Sequence, residues 1–127
     1  MSGTGEPVVL RVPADASFVS TVRIFAGAVG RHTDLAEERV DDLKLALSEV
    51  AAGMIGAGDH GVAVPLLVEI TTDGGGLHVR CQGPAPGTGE TDDLAADHRR
   101  RLLEAIVPDA SWTRRDGEGV VTFSLPR

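Results

Sequence analysis

Residues 40–58 read VDDLKLALSEVAAGMIGAG, and on a helix they form two adjacent stripes. At about 100° per residue, the first stripe consists of large apolar side chains: Val40, Leu43, Leu47, Val50 and Met54. The second stripe carries mostly small residues beside carboxylates: Asp42, Ala46, Glu49, Gly53 and Ala57. The first stripe predicts the buried face of a helix. The second predicts a face that a ligand or a neighbouring segment can approach closely.

The segment before this helix predicts a strand followed by another helix. Residues 8–12 have the β-branched character of a short strand, which Pro13 ends because proline cannot donate to a ladder. Asp15 or Ser17 then offers an N-terminal cap for a helix that reaches about His32. Its apolar residues recur at helical spacing: Phe18, Val22, Phe25 and Val29. A short break separates this helix from the next one.

The segment after residues 40–58 predicts an antiparallel hairpin. The second helix is expected to stop near Gly58, and residues 64–72 and 77–82 then have strand character. Between them lies the turn 73–76, whose three glycines are interpreted as turn residues that supply positive φ. A flexible connector, GPAPGTG, follows at residues 83–89.

The end of the chain predicts a third helix and a second hairpin. Thr91 or Asp92 can cap a helix that reaches about Val107. Residues 110–115 and 120–125 then pair across a glycine-containing turn. Paired strands with helices between them predict an α+β fold, a two-layer sandwich in which one mixed β-sheet carries about three helices on one face.

Composition limits the class of protein. At 127 residues the chain is expected to form a single domain, with residues 1–7 flexible, and it has no apolar run long enough to span a membrane. The net charge of −7 argues against nucleic acid as a direct ligand, because it repels phosphate backbones. One cysteine, Cys81, and four scattered histidines predict neither a disulfide nor a metal site. A cytoplasmic location is expected, since no secretory signal can be read at the N-terminus.

Two motif regions resemble the histidine-kinase-like ATPase superfamily, in its anti-sigma-factor serine kinase branch of the RsbW type. Residues 40–58 are similar to the helix of that family in which a Glu is followed four residues later by an Asn and then by a third polar residue. Here the Glu is Glu49, the Asn position is Gly53 and the third position is Ala57. Residues at i and i+4 point the same way on a helix, so one can orient an attacking group while the other holds Mg²⁺.

The second region, LHVRCQGPAPGTG at residues 77–89, is similar to the strand and turn that carry Asp-x-Gly-x-Gly in this family. The resemblance implies that the Asp accepts a hydrogen bond from adenine and that the glycines let the backbone approach the nucleotide. The corresponding residues here are Cys81, Gly83 and Ala85, so a thiol replaces the acceptor. Before its last helix the family has a glycine-rich phosphate loop, and this chain has Arg100 and Arg101 there. These two arginines are candidates for contacting a triphosphate, and the alternative is a solvated helix face.

The resemblance implies a regulator that binds a sigma factor or an anti-sigma antagonist of the STAS type, as a homodimer that controls transcription in a stress response. Because the metal, base and phosphate groups are replaced, no cofactor is expected, and a kinase-inactive binding protein is the favoured interpretation. The alternative is an active serine/threonine kinase that uses ATP and Mg²⁺, with Glu49 as the catalytic residue. A second alternative is a noncatalytic dimeric sensor that binds another small molecule.

Overall fold

The computed structural model describes residues 6–57, 64–84 and 94–126. Its elements, in chain order, are strands β1 to β5, helices α1 to α3 and one short 3₁₀ segment. They are β1 Val8–Pro13, the 3₁₀ segment Ala16–Phe18, α1 Val19–His32, α2 Glu37–Ala57, β2 Pro65–Asp73, β3 Gly76–Pro84, α3 Leu94–Ile106, β4 Ser111–Arg115 and β5 Glu118–Pro126. The predicted order of strands and helices is confirmed. Among these described elements, no helix is both long and apolar enough to cross a membrane.

The five strands form one sheet in the order β1-β2-β3-β5-β4. Every neighbouring pair is antiparallel, so the α+β sandwich is confirmed but the prediction of a mixed sheet is wrong. The reason lies in the connection through α3. That connection brings β4 back parallel to β3 but two strand positions away, and β5 lies between them and runs antiparallel to both.

The core lies between the helices and one face of the sheet. All five residues of the predicted α2 stripe are buried, from Val40 at 0% exposure to Met54 at 7%. The strands contribute alternate residues to the same layer: Leu66, Val68 and Ile70 of β2, Leu77, Val79 and Cys81 of β3, and Val121, Phe123 and Leu125 of β5. On the opposite face, the central strands carry polar residues such as Glu69, Arg80 and Thr122.

The start of α1 differs from the sequence prediction. Neither Asp15 nor Ser17 caps the helix with its side chain, because a 3₁₀ turn comes first and Phe18 takes the N-cap position. Instead, the Ser17 hydroxyl donates a hydrogen bond to the Asp15 carboxylate over 2.5 Å. The cap predicted for α3 and the end predicted for α2 at Gly58 lie outside the described residues.

The two hairpins are closed by different turn chemistry. Asp116 and Gly117 both have positive φ, 54° and 81°, which is the two-residue turn that matches the twist of paired strands. In the first hairpin, the Asp73 carboxylate accepts the backbone N–H groups of Gly75 at 2.8 Å and Gly76 at 3.1 Å. Gly76 has a φ of 150°, and a Cβ there would collide with the carbonyl oxygen of Leu125. A glycine is therefore required where β3 begins.

Helix α2 packs closely on β3 at Gly83. A Cβ on Gly83 would lie 2.7 Å from Cδ2 of Leu66 and 2.9 Å from Sδ of Met54. Both distances are shorter than the closest contacts that real Cβ atoms make. The absence of a side chain at Gly83 therefore lets α2 pack against the sheet.

We predict that Gly83→Ala destabilises the protein by about 1–3 kcal/mol, because the added methyl group overpacks the core between Leu66 and Met54. Gly56→Ala is the matched control, since nothing lies within 4 Å of the position that its Cβ would take. Urea denaturation followed by circular dichroism measures both changes. Equal stabilities of the two variants would contradict this account of Gly83.

Candidate functional site

Glu49 lies on α2 with its side chain 29% exposed, and it faces α3. Its Oε1 atom is 3.6 Å from Nε of Arg99, a residue of α3 that is also partly covered, at 34% exposure. Glu49 is therefore not an unpartnered carboxylate at the surface. Its charge is balanced by a cation from the neighbouring helix.

Gly53, one turn further along α2, lies beneath the same arginine. A Cβ on Gly53 would be 3.2 Å from Cδ of Arg99, and the guanidinium Nη1 is 3.9 Å from that position. The aliphatic part of Arg99 therefore covers the small-residue stripe of α2, the face that the sequence predicts a ligand or a neighbouring segment can approach closely. The group that approaches it is part of the same chain. The side chain of Ala57, the third predicted position, lies outside the described part of the structure.

Three consecutive arginines of α3 contact three different neighbours. Arg99 reaches Glu49, while the Arg100 guanidinium lies 5.0 Å from the centroid of the Trp112 ring. Arg101 reaches Asp97 of its own helix at 3.1 Å. The structure therefore brings Arg99 to Glu49 and directs the predicted phosphate-contacting residues, Arg100 and Arg101, to other sides of α3.

Sequence reasoning missed the role of Arg99, although a signal for it was present. Arg99 precedes Leu103 and Ile106 by four and seven residues, so it belongs to the apolar stripe of α3. Leu103 is buried and Ile106 is packed against the core. A charged residue in such a stripe indicates an inward-facing ion pair.

Cys81 lies in the centre of β3 and is fully buried. Its Sγ is 3.9 Å from Sδ of Met54, the residue of α2 that follows Gly53. Burial raises the pKa of the Cys81 thiol to about 12, because the low-dielectric core disfavours the thiolate. At this position, where the resemblance implies an adenine acceptor, the chain has a neutral buried thiol.

Gly83 lies two residues further along β3, and the Met54 and Leu66 side chains fill the space in front of it. Met54 therefore covers both Cys81 and Gly83, and it joins the β3 part of the predicted site to the α2 part. Ala85, the last residue of the predicted nucleotide motif, lies outside the described residues.

ATP and Mg²⁺ are the groups that this fold family implies, and the described residues do not fit them. At the β3 end, Met54 covers Cys81 and Gly83, the positions at which the family resemblance implies contacts to the base. At the α2 end, the Arg99 cation lies beside Glu49 and over Gly53, the position at which the family resemblance implies a Mg²⁺ ligand, and like charges repel. Within the described residues, no three His, Cys, Asp or Glu side chains gather closely enough to hold a metal ion.

A second polar arrangement lies on the outer face of the sheet, away from the helices. His78 bridges two strands and a turn, with Nδ1 2.9 Å from the Ser124 hydroxyl and Nε2 2.9 Å from the Asp73 carboxylate. The pKa of Asp73 is lowered, first by the backbone N–H of Gly75 and then by His78. A shallow cavity of about 360 Å³ borders this group and is also lined by Arg80 and Asp109. Sequence reasoning did not single out these residues.

An antiparallel sheet covered on one face by α1, α2 and α3, with a carboxylate-bearing helix packed on its central strand, defines a two-layer α+β sandwich. The sequence matches the family of histidine kinase-like ATPase domains over residues 12–124. The chain therefore belongs to the histidine kinase-like ATPase domain family.

Among solved structures, the fold is similar to that of the RsbU and RsbW domains of Rv1364c from Mycobacterium tuberculosis, with a TM-score of 0.72 and 18% sequence identity. The match covers 94% of this chain but 31% of the other chain. At this identity the likeness is one of fold. A comparison with curated proteins finds no matching sequence.

We predict that Cys81 does not react with a thiol reagent such as DTNB in the native protein at pH 8, since it is buried and its pKa is about 12. Reaction is expected only after unfolding in denaturant, where the thiol is exposed. The measurement is the rate of chromophore release. Met54→Ala, which uncovers the sulfur, is expected to raise the native rate, and rapid full labelling of the unmutated protein would contradict the burial.

Proposed function

We propose that this protein is an anti-sigma-type regulator that binds a sigma factor or an anti-sigma antagonist of the STAS type without transferring phosphate. One observation carries the proposal. The Arg99 side chain lies over Gly53 and pairs with Glu49. This arrangement supports the proposal because the family resemblance implies that metal and phosphate are organised at these positions.

Physical magnitudes favour binding over catalysis. A lost charge-assisted hydrogen bond to a nucleotide base costs about 1.5–3 kcal/mol, which is roughly ten- to a hundredfold in affinity. Phosphoryl transfer depends almost entirely on positioning and on neutralising the charge of the triphosphate. A thiol sealed beneath Met54 and a glycine covered by Arg99 supply neither.

The fold retains the features that a binding protein needs. Among the described strands, β1 and β4 are the edges of the sheet, and an edge strand is a site at which a partner can pair. Val8 and Val9 of β1 are 44% and 50% exposed, an arrangement that suits the homodimer implied by the family resemblance. A cytoplasmic location and a role in transcriptional regulation belong to the same proposal.

An active kinase is the competing function, and Glu49 is the residue that favours it. This carboxylate survives at the family position and keeps 29% of its surface exposed. Release of Arg99 from Glu49 would be required before Glu49 could act on an attacking hydroxyl. A measurement of nucleotide binding therefore distinguishes the two functions.

We predict no binding of Mg-ATP in the micromolar range by isothermal titration calorimetry, and no transfer of radiolabelled phosphate to an antagonist protein. Glu49→Ala is expected to leave both results unchanged. Micromolar binding together with phosphate transfer that Glu49→Ala abolishes would establish the kinase and reject the proposal.

We further predict that Gly53→Asn alone does not restore nucleotide binding, because the new side chain meets Arg99. The double variant Gly53→Asn with Arg99→Ala removes that obstacle and serves as the control, with thermal shift in the presence and absence of Mg-ATP as the readout. A clear ATP-dependent shift in the single variant would show that Arg99 does not block the site.

The partner is tested by co-purification from the source cells, with mass spectrometry of the retained proteins. A sigma factor or a STAS-type antagonist is expected to be retained equally with and without ATP. Retention of neither class would count against the proposal.

A further inference from the structure

Three side chains on the outer face of the sheet are joined by two hydrogen bonds, and they are referred to below as the outer-face triad. Ser124 of β5 lies directly opposite His78 of β3, and its hydroxyl is 2.9 Å from Nδ1 of the imidazole. The other ring nitrogen, Nε2, is 2.9 Å from Oδ2 of Asp73 at the end of β2. The fold thus brings a hydroxyl, a base and a carboxylate together from three neighbouring strands.

Both ends of the outer-face triad are held by backbone hydrogen bonds. The Oδ1 atom of Asp73 accepts two glycine N–H groups of the turn, at 2.8 and 3.1 Å, while Oδ2 faces His78. At the other end, the backbone N–H of Ser124 donates to Oδ1 of Asp109 over 3.1 Å. The carboxylate and the serine therefore keep fixed positions on either side of the imidazole.

The direction of each hydrogen bond follows from the charge of Asp73. The pKa of Asp73 is lowered, first by the Gly75 N–H and then by His78, so the carboxylate is ionised at neutral pH and can only accept. Nε2 of a neutral His78 must then carry the ring proton, which leaves a lone pair on Nδ1. The Ser124 hydroxyl donates to that lone pair. In this arrangement a base can take the proton of a serine while the oxygen attacks.

A serine, a histidine and a carboxylate in these roles are recognised by geometry and not by their order in the sequence. In the outer-face triad, Nδ1 faces the serine and Nε2 faces the carboxylate. Either nitrogen of a neutral imidazole can accept a proton when the other one carries the hydrogen. The geometry therefore provides a nucleophile, a general base and a group that orients the base.

A reacting molecule has room beside Ser124. Ser124 and His78 line a shallow cavity of about 360 Å³, a volume at the small end of the range for ligand sites. Arg80 and Thr122 line the same cavity, and their N–H and O–H groups are donors for the negative charge that develops on a carbonyl oxygen under attack. These donors are side chains at the surface, so the expected acceleration is modest.

The charges around the cavity limit the kind of substrate. Glu69, Arg80 and Asp109 line the cavity, and Asp73 adds a further carboxylate behind His78. Three carboxylates beside one guanidinium disfavour an anion. Volume and charge together favour a small acyl compound without a negative charge.

We propose that Ser124 is a nucleophile that accepts the acyl group of a small, uncharged, activated ester. The Ser124 oxygen attacks the carbonyl carbon while Nδ1 of His78 takes the hydroxyl proton. The bond from that carbon to the leaving oxygen then breaks, and the leaving group takes the proton from His78 and departs as an alcohol. Water then hydrolyses the acyl-serine, with His78 again as the base, and releases the carboxylic acid.

Asp73 is the positioning residue of this reaction, because it acts through the imidazole and does not touch the ester. The outer-face triad lies on the side of the sheet away from the helices, and it shares no residue with the Glu49 region. The inference is therefore independent of the proposed function, and either one can fail without the other.

The probe is p-nitrophenyl acetate, mixed with the full chain while the release of p-nitrophenol is followed by absorbance. We expect acetylation of Ser124, located by mass spectrometry of proteolytic peptides, and a release rate that Ser124→Ala lowers about tenfold or more. Ser111→Ala is the matched control, because Ser111 is exposed on the same face of the sheet opposite Thr122, and it is expected to leave the rate unchanged. An undiminished rate in Ser124→Ala, or acetylation only at other residues, overturns the proposal.

The histidines are tested separately, because an imidazole can itself attack an activated ester. His78→Gln is expected to lower acetylation of Ser124 about tenfold or more. His32→Gln changes an exposed histidine at the end of α1 and is expected to have no effect. Loss of ester cleavage in His78→Gln combined with full cleavage in Ser124→Ala would identify the imidazole as the nucleophile and would overturn the role of Ser124.

The role of Asp73 is tested through the tautomer of His78, which a purely structural role in the turn would not set. Ring ¹⁵N chemical shifts of neutral His78 are expected to place the proton on Nε2. Asp73→Asn keeps an oxygen for the turn N–H groups but presents an amide NH₂ to Nε2, so the ring proton is expected to move to Nδ1 and Ser124 acetylation to fall about tenfold or more. A proton on Nδ1 in the unmutated protein would overturn the mechanism, even if a variant fails to fold.

Discussion

The contact between α2 and β3 is the constraint on which the rest of the fold depends. Met54 of α2 packs on Cys81 and reaches Gly83, and the helix approaches the sheet at Gly83 because no side chain is there. This close contact sets the distance between α2 and the central strand, β3. It buries the apolar stripe of α2, and it leaves the small-residue stripe, with Glu49 and Gly53, facing α3.

The same contact involves Cys81 and Gly83, two positions at which the family resemblance implies contacts to a nucleotide. A carboxylate at the Cys81 position would be buried in the core, where an unpaired charge is costly unless a ligand supplies a hydrogen-bond partner. A neutral thiol avoids that cost. Glu49 is retained and is balanced by Arg99 from within the chain. Both the Met54 contact and the Glu49–Arg99 pair are made within the chain, and they keep the sandwich packed.

The sequence was sufficient for those parts of the fold that depend on local periodicity. The helix stripes and the positions of the two turns follow from spacing and composition, and the structure confirms them. The prediction that all three glycines of the first turn supply positive φ is confirmed for Gly76 and is wrong for Gly74 and Gly75, because the Asp73 carboxylate holds that turn through the N–H groups of Gly75 and Gly76. Strand direction depends on how far the connection through α3 reaches across the sheet, which residue spacing does not encode, so the mixed sheet was a wrong prediction. The site prediction named Glu49 and Gly53 but missed Arg99, because a pairing between α2 and α3 requires knowledge of how the helices cross.

Two consecutive arginines of α3 also fix the rotation of that helix about its own axis. Neighbouring residues of a helix point about 100° apart, and here Arg99 ends on Glu49 of α2 while Arg100 ends on Trp112 of β4. A one-residue insertion or deletion in α3 before Arg99 would turn both side chains away from these contacts together. The two contacts therefore allow α3 a single rotation about its axis, and length changes within the helix are expected to be tolerated poorly.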